Sequence, residues 1–521
     1  MTENASLLPP VDRRPTAYEA LRDRVLGDPR LNRMLGWSVP ALITLLAAAL
    51  RLINLAHPHQ IMFDETYYVK DSWSLWNLGY EAKWGDGADT QLLTGDDSAL
   101  QAEGSFVVHP PLGKWIIALG MAAMGPGSSF GWRVTTALLG SLTVLLVYLV
   151  ALQLTRSRTV ASIAAGLLAI DGLGIVMSRI ALLDGILTFF ILLGALFVLK
   201  DRQRTMPLLD AIGRDDDEDA PLRMIGPVLW NRPWLIAAGV TLGAASAVKW
   251  SGLYALAVFG LHVVVTDALA RRRAGIALWP TDAVFRQGPA SFLLLVGPAL
   301  LTYLVSWTGW LVTAGGYDRQ SDANPLAALW KYHESILAFH VGLATPHPYA
   351  SPAWQWPLLL RPTAIWVGEK PTGCGTDHCI AVISSVPNPM IWYASVAAAL
   401  YLLYWLVRGL IQRTPVGPEL TFSLVGLIAT YVPWLLVGDR TIFQFYTITM
   451  VPFLVIGLAL ALRELAGRAP APRHRRQSGQ RTVVVYLAVV VLVSAFYYPV
   501  WTGMSVPYEF WLIHNWLPGW I

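Results

Sequence analysis

The stretch SVPALITLLAAALRLINLA, residues 38–56, runs directly into His57-Pro-His-Gln-Ile-Met-Phe-Asp-Glu-Thr-Tyr-Tyr-Val-Lys70. The first segment is long enough to cross a bilayer core, for which ~20 apolar residues suffice. The second places an acid pair, Asp64-Glu65, just outside that span and at the start of a long polar loop. Acids in or beside a membrane are costly and point to function by default. Two solvated loop carboxylates are the bland alternative, and the rest of the chain decides between them.

Hydrophobic residues make up 55% of the 521 and charged residues 14%, well below the ~25% charge of an ordinary soluble domain. The chain therefore reads as an all-α polytopic membrane protein. The first 37 residues are polar and carry six arginines, so the first span is expected to be an uncleaved anchor rather than a signal peptide. Hydropathy predicts eleven spans, near 38–56, 131–154, 159–177, 182–199, 233–248, 251–268, 288–310, 390–407, 420–437, 444–462 and 482–500. With the N-terminus inside, that segment and the connectors after every second span hold 26 of the 38 Lys and Arg residues. The bias follows the positive-inside rule and predicts a cytoplasmic N-terminus and an outer C-terminus.

The expected organisation is a cytoplasmic segment 1–37, a membrane domain 38–500 and an outer tail 501–521. Two large outer loops, 57–130 and 311–389, interrupt the membrane domain. Tryptophans such as Trp73, Trp84, Trp115, Trp354 and Trp366 crowd the outer segments, where indole anchors at the headgroup level. Pro111–Met124 is apolar but short, and predicts an amphipathic helix in the outer interface. The cytoplasmic run 214–219 (RDDDED) is a solvated charge cluster with no chemistry implied. Cys374 and Cys379 are the only cysteines and share the second outer loop, which favours a disulfide in an oxidising compartment. Asp377 and His378 between them raise a metal site as the rival reading.

Polar residues that interrupt the apolar runs gather at the outer ends of the spans. Arg133 opens the second, Arg179 and Asp184 flank a turn between the third and fourth, Lys249 divides the fifth from the sixth, and Asp439-Arg440 joins the ninth and tenth. Individually, each has an ordinary reading as a snorkelling side chain or a local ion pair. Together they set four cations at one depth on one face, a pattern suited to a phosphate on a lipid whose tail lies in the bilayer. Neighbouring carboxylates suit general-base activation of a hydroxyl. Asp171, inside the third apolar run, reads as a packing acid. No Walker motif or Gly-rich nucleotide cradle precedes a helix, so a lipid-borne donor is expected rather than a sugar nucleotide.

The ordered set Phe63-Asp-Glu-Thr-Tyr-Tyr-Val-Lys70, His109-Pro-Pro-Leu-Gly-Lys-Trp115, Trp132-Arg133, Ser178-Arg-Ile-Ala-Leu-Leu-Asp184, Val248-Lys-Trp-Ser-Gly-Leu253 and Trp354-Gln-Trp-Pro-Leu358 resembles the protein O-mannosyltransferases. The resemblance runs from about residue 38 to 500 and looks like the actinobacterial branch. Residues 311–389 are too few to hold the MIR domain typical of eukaryotic members.

The resemblance implies a glycosyltransferase C type bundle with its catalytic acid in the first outer loop. It implies a polyprenyl phosphate β-mannose donor, Ser or Thr of a protein emerging from the secretion channel as acceptor, and inversion to an α-mannoside at the outer face of the plasma membrane. Carried over by motif, Asp64 is the expected general base, and Glu65 is expected to orient the acceptor or sugar. Arg133 and Lys249, with Arg440 at the same depth, are expected to hold the donor phosphate. Arg179 and Asp184 would shape the site, and His109 and Lys114 would position the first loop. Gln444 stands where eukaryotic relatives tend to have histidines. The family is treated as independent of metals and cofactors, with the cations taking a metal's place.

Two rivals remain at the level of sequence. A related transferase on the same scaffold would move arabinose or aminoarabinose to a lipid or glycan. A polyprenol-lipid transporter would instead need polar residues at the bilayer midplane and two symmetric halves.

Overall fold

In the computed structural model, the described residues are 12–212, 223–438, 440–468 and 471–521. The charged run 214–219 and Asp439 lie outside them. The chain begins with α1 (Ala17–Gly27), opened by a reciprocal cap in which Thr16 and Glu19 satisfy one another's backbone N–H groups. After Asp28, which caps the next helix with Pro29 at its first position, α2 (Pro29–Leu52) carries the first apolar run.

The first large loop is built from α3 (Glu65–Leu78), the antiparallel pair β1 (Ala82–Trp84) and β2 (Leu100–Gly104), the short α4 (Ala88–Leu93) and α5 (Leu112–Met124). α5 is a short apolar helix over the predicted stretch, and it packs against α3 and against α6 (Ser129–Thr155). α7 (Arg158–Ala169) and α8 (Gly172–Val176) form one interrupted segment. Asp171 makes the break, accepting from Gly174 N and Asn388 N at 3.0 Å each, so it is a buried packing acid.

α9 (Leu183–Ile212), α10 (Pro233–Val248), α11 (Gly252–Arg273), the turn α12 (Trp279–Thr281) and α13 (Gly288–Ser306) follow. α10 is short and rich in small residues, and its Gly239 and Gly243 let it close on α13. A Cβ on Gly239 would stand 2.3 Å from the Leu295 carbonyl oxygen, and one on Gly243 would stand 2.4 Å from that of Ala299. Arg232, at the other end of α10, is buried against Asp201 (2.5 Å) and Asp267 (2.6 Å), tying α9 to α11.

The second outer loop holds α14 (Thr308–Val312), α15 (Pro325–Gly342) and strands β3 (Ala364–Val367), β4 (Cys379–Ile380) and β5 (Val382–Ser384). Cys374 and Cys379 are joined as a disulfide there. Then come α16 (Pro389–Gln412), α17 (Pro418–Thr430), α18 (Val432–Leu435), α19 (Val451–Ala466) and α20 (Arg473–Thr502). The tail supplies β6 (Val506–Pro507), paired to β4, and α21 (Tyr508–Leu512).

Among the described residues, seven helices are long and apolar enough to cross a membrane: α2, α6, α9, α11, the run Trp279–Ser306, α16 and α20. The other four predicted spans coincide with shorter helices: α7 with α8, α10, α17 with α18, and α19 after a 3-10 turn at Gln444–Thr449. The chain is a multi-pass, mostly helical membrane protein. Loops 57–130 and 311–389 fold back over the helix ends and meet the α18–α19 connection.

Candidate active site

The turn before α3 decides which acid faces what. Phe63 adopts a left-handed conformation, φ 50°, an unusual one for a large side chain. Asp64 follows at the N-cap position but makes no side-chain cap. Its carboxylate instead lines a cavity of about 520 Å³, within the usual range of small-molecule sites. Burial raises the Asp64 carboxyl to about 6, with Lys249 opposing the rise and Asp184 adding to it. A base with that affinity is matched to work near neutral pH.

Glu65 points the other way and is fully buried. Its Oε1 accepts from Arg133 Nε (2.8 Å) and Ala181 N (2.9 Å), and its Oε2 from Arg133 Nη2 (2.8 Å) and Met62 N (3.0 Å). Arg133 also donates to the carbonyls of Pro58 (2.8 Å) and Gln60 (2.7 Å).

A second cavity of about 450 Å³ adjoins the first, and His109, His340, Leu343 and Arg440 line both. Its remaining wall is largely apolar and aromatic, with Trp250, Tyr254, Leu337, Trp434 and Leu436, and includes Lys249. Lys249 Nζ donates to Asp184 Oδ1 at 2.9 Å and lies 3.9 Å from the centre of the Tyr446 ring. Arg440 Nη2 donates to His340 Nδ1 at 3.0 Å, and its Nε has no hydrogen-bond partner among the described residues. His340 Nε2 reaches the Val108 carbonyl at 3.1 Å, so its ring is neutral with the proton on Nε2. Burial, followed by the charge of Arg440, holds His340 down to about 4. The His109 ring stacks on it at 5.6 Å and is likewise kept well below its ordinary value, chiefly by burial. Arg440 thus stands in the wall that the two cavities share, Lys249 in the wall of the second, and Asp64 in the wall of the first.

A family model for dolichyl-phosphate-mannose-protein mannosyltransferase matches residues 41–271. A model for the C-terminal four TMM region of protein-O-mannosyltransferase matches residues 325–520. A polyprenol-phosphate-mannose–protein mannosyltransferase of Mycobacterium tuberculosis is 35% identical over 94% of this chain and 93% of its own length. The chain belongs to the protein O-mannosyltransferase family. A relative of the same description from Mycolicibacterium smegmatis is 32% identical over 94% of each chain. The Saccharomyces cerevisiae protein O-mannosyltransferase Pmt1-Pmt2 complex bound to the sugar donor shares the fold. Its TM-score is 0.72, at 16% identity, over 99% of this chain and 97% of that one.

For this protein O-mannosyltransferase the residues divide their labour differently from the sequence expectation. Arg133 was expected at the donor phosphate and Glu65 at the substrate, yet their side chains are 0% exposed and line neither cavity. Their hydrogen-bonding groups are taken up by each other and by the turn. Arg179 also lies outside the cavities. Its guanidinium donates to the carbonyls of Arg51 (3.0 Å), Ile53 (2.8 Å) and Asn54 (3.0 Å), closing the end of α2. Asp184 is the counter-ion of Lys249 rather than the partner of Arg179, so the ammonium is already compensated without a lipid phosphate. Gln444 is buried between Ser385 (3.4 Å) and Thr447 (3.3 Å), behind the site. Lys114 Nζ holds the His109 carbonyl at 3.0 Å and Glu81 at 2.5 Å, which fits a loop-positioning role. His109 itself lines both cavities.

Sequence reasoning missed Asp71, His340 and Tyr68 in the cavity wall. Asp71 had a usable signal, since it follows Asp64 by seven residues and falls on the same helical face. His340 had none, because its importance comes from a contact across 100 residues of chain with Arg440.

Proposed function

We propose that this chain transfers mannose from a polyprenyl phosphate mannose to hydroxyl groups of proteins, with Asp64 as the general base. The carrying observation is the placement of Asp64: an uncapped carboxylate in the polar cavity, beside a second, apolar cavity whose shared wall carries Arg440. The acceptor hydroxyl enters the polar cavity and gives its proton to Asp64 as its oxygen attacks the anomeric carbon. The bond from that carbon to the phosphate oxygen breaks, and the electron pair leaves with polyprenyl phosphate. Attack opposite the leaving group inverts the centre, so a β-linked donor gives an α-mannoside. Arg440 and Lys249 stabilise the charge growing on the departing phosphate, the role that fixed cations fill where a metal is not used. The apolar second cavity accommodates the first isoprene units.

The distribution of basic residues supports an N-terminus in the cytoplasm and a site on the outer face of the plasma membrane. Acceptors would then be secreted polypeptides presented through Ser and Thr, met as they leave the translocon. The test is transfer from synthetic polyprenyl phosphate mannose to a Ser/Thr peptide in membranes containing the chain, with arabinose and glucose donors in parallel. Mannose transfer to the peptide is expected, and preferential use of another sugar or of a lipid acceptor would overturn the reading.

A further inference from the structure

α3 carries a second acid into the cavity. Asp71 lies seven residues beyond Asp64, two turns along the same face of the helix, about 10 Å away by helical rise. It is 9% exposed, and that remaining exposure faces the chamber that Asp64 also lines. Its ion-pair partner is Lys114, with Nζ 3.8 Å from Oδ2, but Lys114 lies closer to Glu81, at 2.5 Å, and donates to the His109 carbonyl at 3.0 Å.

Two carboxylates therefore share one ammonium, and the nearer one is not Asp71. A pair needed only to bury Lys114 would be complete with Glu81 alone. A further carboxylate in a nearly closed wall is expensive unless something hydrogen-bonds to it. Burial indeed lifts Asp71 to about 7, so an incoming donor group gains from meeting it.

The position of Asp71 identifies that group. It lines the polar chamber but not the second cavity, so it stands away from the wall carrying Lys249. With the phosphate at the junction and C1 near Asp64, the sugar ring projects into the polar chamber. Tyr68, Phe106 and Phe339 line that same chamber. A carboxyl group beside aromatic rings matches a pyranose, whose hydroxyls hydrogen-bond to it and whose C–H face packs on rings.

Resting on the function proposed above, we propose that Asp71, held by Lys114, forms a sugar-binding subsite that accepts hydrogen bonds from ring hydroxyls of the transferred hexose. The subsite would select among hexoses by the positions of their hydroxyls, because a site built to bind a hydroxyl rejects the analogue lacking it.

The experiment compares wild type with Asp71→Asn, which keeps the size and loses the charged acceptor. The probes are polyprenyl phosphate mannose, a series of singly deoxygenated mannose donors, and bare polyprenyl phosphate as a competitor without sugar. Wild type should lose about ten- to a hundredfold in kcat/KM on one or two members of the deoxy series. Asp71→Asn should lose a similar factor on the full donor, and removing those same hydroxyls should then cost it little more. Inhibition by bare polyprenyl phosphate should be the same in both proteins, which also shows that the variant is folded. The proposal is overturned if the variant responds to the deoxy series as wild type does, if only the acceptor KM rises, or if affinity for bare polyprenyl phosphate falls in step. If wild type fails to transfer mannose from the full donor, the underlying function fails instead, and the two failures are distinct.

Discussion

Arg133 grips Glu65 through two parallel hydrogen bonds of 2.8 Å, with both side chains sealed from solvent. The consequence falls on the neighbouring residue. With Glu65 fixed inward, and Ala181 N and Met62 N also bound to it, the turn through Phe63 has one outcome for Asp64, which is to face the cavity. The acid pair thus comprises one carboxylate locked into the fold and one facing the cavity. The structural one is held by an arginine that also binds the loop carbonyls at Pro58 and Gln60.

Breaking this clamp should damage the fold before it damages the chemistry. Glu65→Gln or Arg133→Met leaves a buried charge without its partner, a change worth about 3–5 kcal/mol of destabilisation. Thermal unfolding in detergent should fall for both, and Arg133→Lys should not restore it, because an ammonium cannot reproduce the fork. Normal unfolding temperatures with lost donor binding would return Arg133 to the phosphate.

The pH profile of Asp71→Asn, which lacks the other raised acid of the cavity, should show an acid limb belonging to Asp64. Its carboxyl is raised to about 6 by burial, and the working base is the deprotonated form, so kcat should fall as pH drops through about 6. Of the cavity histidines, His109 and His340 are held neutral well below it and do not account for such a limb. Lys249 lowers the Asp64 value, so Lys249→Met should move the limb to higher pH. A limb that stays in place in that variant would belong to another group.

Donor affinity should divide between the two cations. Arg440→Met removes a guanidinium whose only intrachain acceptor is the His340 ring among the described residues, so KM for the donor should rise with little loss of stability. Lys249→Met also strands Asp184 and should cost stability, which Lys249→Met/Asp184→Asn should recover without restoring donor affinity. Changes at Arg440 and Lys249 should combine less than additively if both touch one phosphate. Unchanged donor KM in Arg440→Met would remove it from the site.

The disulfide lies apart from either cavity. Cys374→Ser or Cys379→Ser should loosen the second outer loop, seen as faster proteolysis there, with kcat of the intact protein retained. Chelators should leave wild-type activity unchanged. Loss on chelation with recovery on adding zinc would favour a metal site between the cysteines.

The membrane architecture was legible because hydropathy and the basic-residue bias both act locally along the chain. All eleven predicted spans meet helices, although four are short or broken, as at Asp171, where a side chain ends one helix and caps another. Lys249 and Arg440 could be picked out because they interrupt apolar runs, and Asp64 because its acid pair directly follows the first span and carries the family motif. Partner choice could not be read in the same way. Arg133, Arg179 and Lys249 all interrupt apolar runs, yet Arg133 binds Glu65 and Arg179 the carbonyls ending α2, while Lys249 lines a cavity even though it pairs with Asp184. Whether a cation is already spent is a matter of tertiary contact, and spacing along the chain carries no record of it. His340 was overlooked for the same reason, since it sits in an unremarkable outer helix until Arg440 reaches it.

The central claim is that Asp64 takes the proton from the acceptor hydroxyl. Asp64→Asn keeps the shape of the side chain and removes its basicity. Single-turnover transfer from polyprenyl phosphate mannose to a Ser/Thr peptide should slow by at least the ~10²–10⁴ that general-base catalysis contributes, while donor binding stays near wild type. Turnover close to wild type in Asp64→Asn would contradict the account.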